Sequence, residues 1–271
     1  MSGTFHVKMS GRPDIRYRVE GSGPAVTLVH GVGASLDSWD EVAAHMQARY
    51  RIVRMDLAGH GKSGPIRGER SLQDFADDVR VVWDHLGLAT THLAGFSLGG
   101  LIAQSLALSD PGRIDRLAIL SAVAGRTAEE RAKVVGRLAL LKEGGIPAVT
   151  AAAEERWFTP EFRQRHPERV AQRMRELLAN DPVSYASAYT VFATSDLGDR
   201  VGDIRHPTLV ATGEHDVGSN VRMARMMHAA IAGSQLCILP GLRHSVLVEA
   251  PRQVADMLLR FFDLGKAQDK A

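Results

Sequence analysis

The chain has 271 residues, 45% of them hydrophobic, which suffices for one large α/β domain with a sizeable core. Lysine and arginine number 33 against 31 Asp and Glu, a formal charge of +2 and a pI of 8.8; so mild a surplus argues against nucleic acid as a partner. No run reaches the 18 or so apolar residues that span a bilayer, no basic-then-apolar leader opens the chain, and the single cysteine, Cys237, allows neither an internal disulfide nor a thiolate metal cluster, so a cytoplasmic protein free of membrane is expected.

Residues 4–9 and 14–20 alternate like a hairpin broken by Gly11, Arg12 and Pro13. Apolar runs near 25–30, 51–56, 91–96, 116–122, 208–213 and 235–239 read as strands, most of them separated by helix-length segments such as 36–48, 71–86, 98–108 and 219–232. That alternation predicts a mainly parallel sheet flanked by helices. Cys237 falls in the last of these strands, where it reads as a small buried apolar residue. Between Ser121 and Ile204 the alternation stops, and Ala-, Arg- and Glu-rich sequence with helical spacing covers 127–142, 146–156, 160–179 and 182–194. The expected organisation is a core formed by residues 1–124 and 204–271, with a helical cap, 125–203, inserted after the sixth strand. Arg163, Arg165, Arg169, Arg173 and Arg175 read as a solvated helix face, with room for one of them to face a pocket. Trp157 and Phe158 stand as candidate substrate-binding residues, with cap packing as the competing role. Residues 265–271 read as a frayed tail.

One turn carries the chemistry. Gly95-Phe96-Ser97-Leu98-Gly99-Gly100 lies between the apolar run 91–94 and the helix-compatible run 101–108: strand, sharp turn, helix, with a serine at the apex. Small residues are needed on either side, because a Cβ there would collide with neighbouring backbone. A serine hydroxyl is a poor nucleophile at neutral pH and needs a base, which in turn needs a partner to fix its tautomer. Asp216 follows the strand that ends at Gly213, and His244 lies in the loop after the strand 235–239, so all three candidates fall at carboxyl ends of strands, where open α/β sheets bind ligands. Among rivals, His30 reads as a brace for its own turn, His60 as part of another turn, and His215, Glu214 and Asp199 are less well placed than His244 and Asp216.

Competing motifs fail on spacing. A phosphate-cradling loop needs a glycine five residues before Gly61-Lys62-Ser63, where Asp56 stands, and a dinucleotide fingerprint starting at Gly31 needs a glycine where Leu36 stands. No His-x-x-x-His or paired cysteines of ligand spacing occur, so neither metal nor cofactor is expected.

On these residues the chain resembles the α/β-hydrolase fold family over nearly its whole length. His30-Gly31-Val32-Gly33, after the strand Ala25–Val29, resembles that family's oxyanion-hole turn, and Asp56-Leu57-Ala58-Gly59-His60-Gly61-Lys62-Ser63 resembles the turn after its following strand. The resemblance implies an oxyanion hole formed by the backbone N–H groups of Val32 and Leu98. The runs 30–39 and 157–163 are similar to those of 3-oxoadipate enol-lactonases, although Leu98 stands where that group more often has Met, and 217–220 lacks its usual proline. The implied protein is a serine hydrolase that cleaves a small-molecule ester or lactone through an acyl-enzyme. The alternatives are hydrolysis of a carbon–carbon bond in a vinylogous diketone, and a receptor that keeps the triad without turnover.

Overall fold

A computed structural model of the chain describes residues 2–8 and 11–264; the expected tail at 265–271 and the Met9 end of the first strand lie outside them. Eight strands form one sheet: β1 (Gly3–Val7), β2 (Ile15–Glu20), β3 (Ala25–Val29), β4 (Arg51–Met55), β5 (Thr91–Phe96), β6 (Ile114–Leu120), β7 (Thr208–Gly213) and β8 (Gln235–Leu239). Their spatial order is β1-β2-β4-β3-β5-β6-β7-β8, antiparallel from β1 to β4 and parallel in every other pairing.

Parallel strands need helical crossovers, which cover both sheet faces and make central strands apolar throughout. All six residues of β7 are accordingly buried. On one face lie α2 (Leu72–His85), α3 (Leu98–Ser109) and α8 (Val221–Ala230), whose Phe75, Trp83, Leu101, Ile102 and Met223 join the larger core cluster. On the other lie α1 (Asp40–Met46) and α10 (Pro251–Asp263), contributing Val42, Met46, Leu258, Phe261 and Phe262. Each such fully buried Leu or Phe contributes about 1.5–3 kcal/mol.

Between β6 and β7 the chain leaves the sheet for α4 (Ala128–Trp157), α5 (Pro160–Arg165), α6 (Pro167–Leu178) and α7 (Pro182–Thr194). Thr127 and Glu130 cap the first of these reciprocally through side chain and backbone. Gly145, at φ 67°, breaks α4 between the two helical stretches expected there. The expected helix 160–179 is two, because Pro167 keeps His166 out of the helical region, at φ −133° and ψ 51°. Asp196 ties the two chain crossings of this insertion together, accepting hydrogen bonds from Gly125 N and Arg126 N at 2.7 and 2.9 Å and from Gly198 N at 3.0 Å. Among the described residues no helix is long and apolar enough to cross a membrane.

Three further differences from the sequence reading stand out. The segment 36–48 begins as a 3-10 turn at Leu36–Trp39 before α1. The last strand, β8, is an edge strand rather than a core one, so Cys237 is half-buried, not enclosed. The C-terminal α10 also packs beside α1 on one face of the sheet, its start set by Pro251 at the first turn.

Candidate active site

Ser97 sits between β5 and α3 at φ 56° and ψ −115°, a conformation that costs a non-glycine residue on the order of 1–3 kcal/mol. Its surroundings impose it. Ser97 N donates to Leu120 O at 2.9 Å, and the first turn of α3 folds back onto Ser97 O through Gly100 N at 2.9 Å. A Cβ on Gly95 would lie 2.0 Å from Gly99 O, and one on Gly99 would lie 2.2 Å from Val29 O. Only glycine lets β5, α3 and the end of β3 approach so closely.

Asp216, in the turn after β7, is almost fully buried. Its Oδ1 accepts hydrogen bonds from Gly218 N and Ser219 N, both at 2.9 Å, and its Oδ2 lies 2.7 Å from His244 Nδ1. A carboxylate oxygen only accepts, so the imidazole carries its proton on Nδ1 and leaves Nε2 as a base. His244 also packs against Phe96, ring centroids 5.1 Å apart. Its loop is held from the insertion side: Ser245 N donates to Trp157 O at 2.9 Å, while Glu249 accepts from Thr159 N at 2.8 Å and from Arg243 N at 3.1 Å.

The loop after β3 is anchored by two buried groups. His30 Nδ1 donates to Gly31 O at 2.7 Å and its Nε2 accepts from Leu57 N at 3.0 Å; burial, against the opposing charge of Asp56, pushes its pKa down and keeps it neutral. Asp56 accepts from Leu36 N at 2.7 Å and Lys62 N at 2.9 Å and pairs with Arg16 at 3.0 Å. The Asp56–Ser63 turn thus acts as a brace for the loop that carries Val32.

Ser97, Asp216, His244, Val32 and Trp157 line a single cavity of about 70 Å³, several times the 10–15 Å³ that one water centre needs. Leu98 is not among its lining residues; its side chain is wholly buried, but as the first residue of α3 its N–H has no carbonyl one turn back to receive it. Phe158 does not reach the cavity. The chain turns extended at this position, and Phe158 stacks on Phe162, centroids 5.6 Å apart, in a small apolar cluster against which Trp157 packs.

One of the five arginines faces the cavity, as the sequence left room for. Arg165 and Arg175 are exposed, whereas Arg173 is 8% exposed, lies 4.8 Å from the Trp157 ring and lines the cavity. Arg137 and Arg156 of α4 line it too, with Tyr185 and Tyr189 of α7. Burial works against the charge of Arg173, opposed by Glu176 and Tyr185, and against that of Arg156, where the neighbouring Arg137 adds repulsion. Apolar Val170, Met174 and Leu177 at helical spacing around Arg173 are the signal that would have turned it inward. Among the described residues no group of three or more His, Cys, Asp or Glu side chains is placed to hold a metal ion.

The family described as serine aminopeptidase S33, Hydrolase_4, matches residues 22–251. An Acinetobacter baylyi (E)-2-((N-methylformamido)methylene)succinate hydrolase is 32% identical over 92% of this chain and 94% of its own length. The 3-oxoadipate enol-lactonase 2 of the same organism is 30% identical over 84% and 85%. Among solved structures, the enol-lactonase from Burkholderia xenovorans superposes with a TM-score of 0.89 at 27% identity, covering 95% of this chain and 99% of that one. With its mostly parallel sheet, the chain is an α/β-hydrolase-fold hydrolase that belongs to the Hydrolase_4, serine aminopeptidase S33, family.

Proposed function

We propose that this protein hydrolyses a small carboxylic ester or lactone through an acyl-enzyme on Ser97, with residues 125–203 acting as the cap that selects the substrate. The observation that carries the reading is the Asp216–His244 contact at 2.7 Å, on the same cavity as a serine held at positive φ. In this reading Ser97 Oγ attacks the carbonyl carbon as His244 Nε2 takes its proton. The oxyanion accepts hydrogen bonds from Val32 N and Leu98 N, and the leaving oxygen departs with the proton from Nε2. Water then enters, gives a proton to Nε2 and attacks the acyl carbon, and Ser97 leaves with that proton. Asp216 holds Nδ1–H throughout and stabilises the imidazolium. The similarity to proteins named as enol-lactonase and as succinate-derivative hydrolase supports hydrolysis of a small acidic compound.

The test is hydrolysis of short p-nitrophenyl esters by the wild type and by Ser97→Ala, with circular dichroism confirming both folds. Turnover lost only in the variant is the expected result, and turnover retained near the wild-type rate would sink the mechanism.

A further inference from the structure

Arginine side chains elsewhere on this protein are commonly matched with carboxylates: Arg16 with Asp56, Arg54 with Glu20 and Arg70 with Asp78 are buried or half-buried examples. The cavity breaks that pattern. Arg137, Arg156 and Arg173 all line it, and among the described residues none of the three lies within ion-pair distance of a carboxylate. Arg137 Nε donates to Tyr189 Oη at 3.2 Å, and Arg173 covers the Trp157 ring, but Arg173 Nη1 is buried with no hydrogen-bond partner. Among the described residues the one carboxylate lining the cavity, Asp216, is already taken by His244 Nδ1, Gly218 N, Ser219 N and Thr212 Oγ1.

A guanidinium does not shed its proton in a protein, so burial leaves its charge in place and unsatisfied. Arg173 is such a charge, and the half-buried Arg137 and Arg156 add two more on the same cavity, so an anionic occupant is favoured, and one carboxylate at Arg173 leaves the Arg137 and Arg156 side unmatched. The residues also divide the space. Ser97, Asp216 and His244 stand at the sheet, while all three arginines stand on α4 and α6 above it. We infer that the cavity receives a substrate bearing two carboxylates besides the scissile carbonyl, one ion-paired with Arg173 and the other with Arg137 and Arg156. This rests on the reading of Ser97 as nucleophile. The arginines are binding and orienting groups.

The experiment compares three methyl esters: dimethyl glutarate with no free carboxylate, monomethyl glutarate with one, and the 1-methyl ester of propane-1,2,3-tricarboxylic acid with two. In the wild type kcat/KM should rise about tenfold or more with each carboxylate. Arg173→Met and Arg156→Met should each remove about one such step, mainly through KM, with Arg173→Lys restoring part of it. In parallel, calorimetry on Ser97→Ala should show glutarate binding at least tenfold tighter than butyrate, and the added Arg173→Met should abolish the difference. A two-carboxylate ester turned over no better than the one-carboxylate ester, or a preference untouched by both Met variants, overturns the inference. If no ester is cleaved while glutarate still binds through Arg173, the hydrolase reading falls and the anion cavity stands. Should Arg173→Met not fold by circular dichroism, Arg156→Met and Arg137→Met, on more accessible side chains, carry the same comparison.

Discussion

Asp216→Asn isolates the electronic part of the site from its shape. The Asn side-chain oxygen can keep the two hydrogen bonds from Gly218 N and Ser219 N, both 2.9 Å in the wild type, which turns its NH2 toward His244 Nδ1, 2.7 Å from the former Oδ2. Because the NH2 donates, Nδ1 must accept, and the imidazole proton moves to Nε2, the atom that should receive the proton of Ser97. The base is then occupied, and the imidazolium formed in the reaction loses its counter-charge. A loss of about 10⁴-fold in kcat is expected, about 5.4 kcal/mol at 1.36 kcal/mol per tenfold. Stability should change by only about 1–2 kcal/mol, since the replacement is isosteric and the bonds from Gly218 N and Ser219 N persist. Burst and steady-state kinetics on p-nitrophenyl acetate, with thermal melts of both proteins, read the two effects separately. A folded Asp216→Asn protein with kcat within tenfold of wild type would refute the assignment of His244 as base and Asp216 as its partner.

Acid should unfold the protein partly through His60, whose pKa burial and then the neighbouring His30 push down to about 3. The unfolded chain takes up this proton near pH 6.5 and the folded one does not, so stability is lost as pH falls from 6.5 toward 3; between pH 7.5 and 5 the loss is about 2 kcal/mol. Asp78 works the other way: burial outweighs Arg70 and raises its pKa to about 6, so the fold gains about 1 kcal/mol over the same interval. Urea titrations at both pH values should therefore show His60→Asn losing about 2 kcal/mol less than wild type, and equal losses would contradict a buried neutral His60. Gly99→Ala places a Cβ 2.2 Å from Val29 O and 2.7 Å from His30 O, contacts with backbone that cannot rotate aside. It should cost about 1–3 kcal/mol and at least tenfold in kcat through the displaced loop of Val32, whereas Gly112→Ala, with nothing within 4 Å of its Cβ, should stay within about 0.5 kcal/mol of wild type.

What was legible in the sequence is what depends on near neighbours. The turn at Ser97 announces itself because its glycines, its strand and its helix are contiguous, and Asp216 and His244 are legible as residues just past apolar strands. Charge alone left open which of the five arginines within 163–175 faces the cavity; spacing singles out Arg173, which shares a helical face with Val170, Met174 and Leu177 and turns inward with them. Phe158 falls to cap packing because the helix α4 ends at Trp157 and the next residue turns extended, onto Phe162. The bracing role of Asp56 was not readable at all, because Leu36 and Arg16 meet it only after β2, β3 and β4 have paired.

The stitching of Ser245 to Trp157 O, and of Thr159 and Arg243 to Glu249, has an evolutionary corollary. Residue 157 contributes a carbonyl to the loop of His244 and an indole to Arg173. Helices 128–194 are therefore not a module that recombination could exchange at will. A transplanted replacement whose main chain did not follow the path of Trp157 and Thr159 would leave the loop of His244 without these tethers.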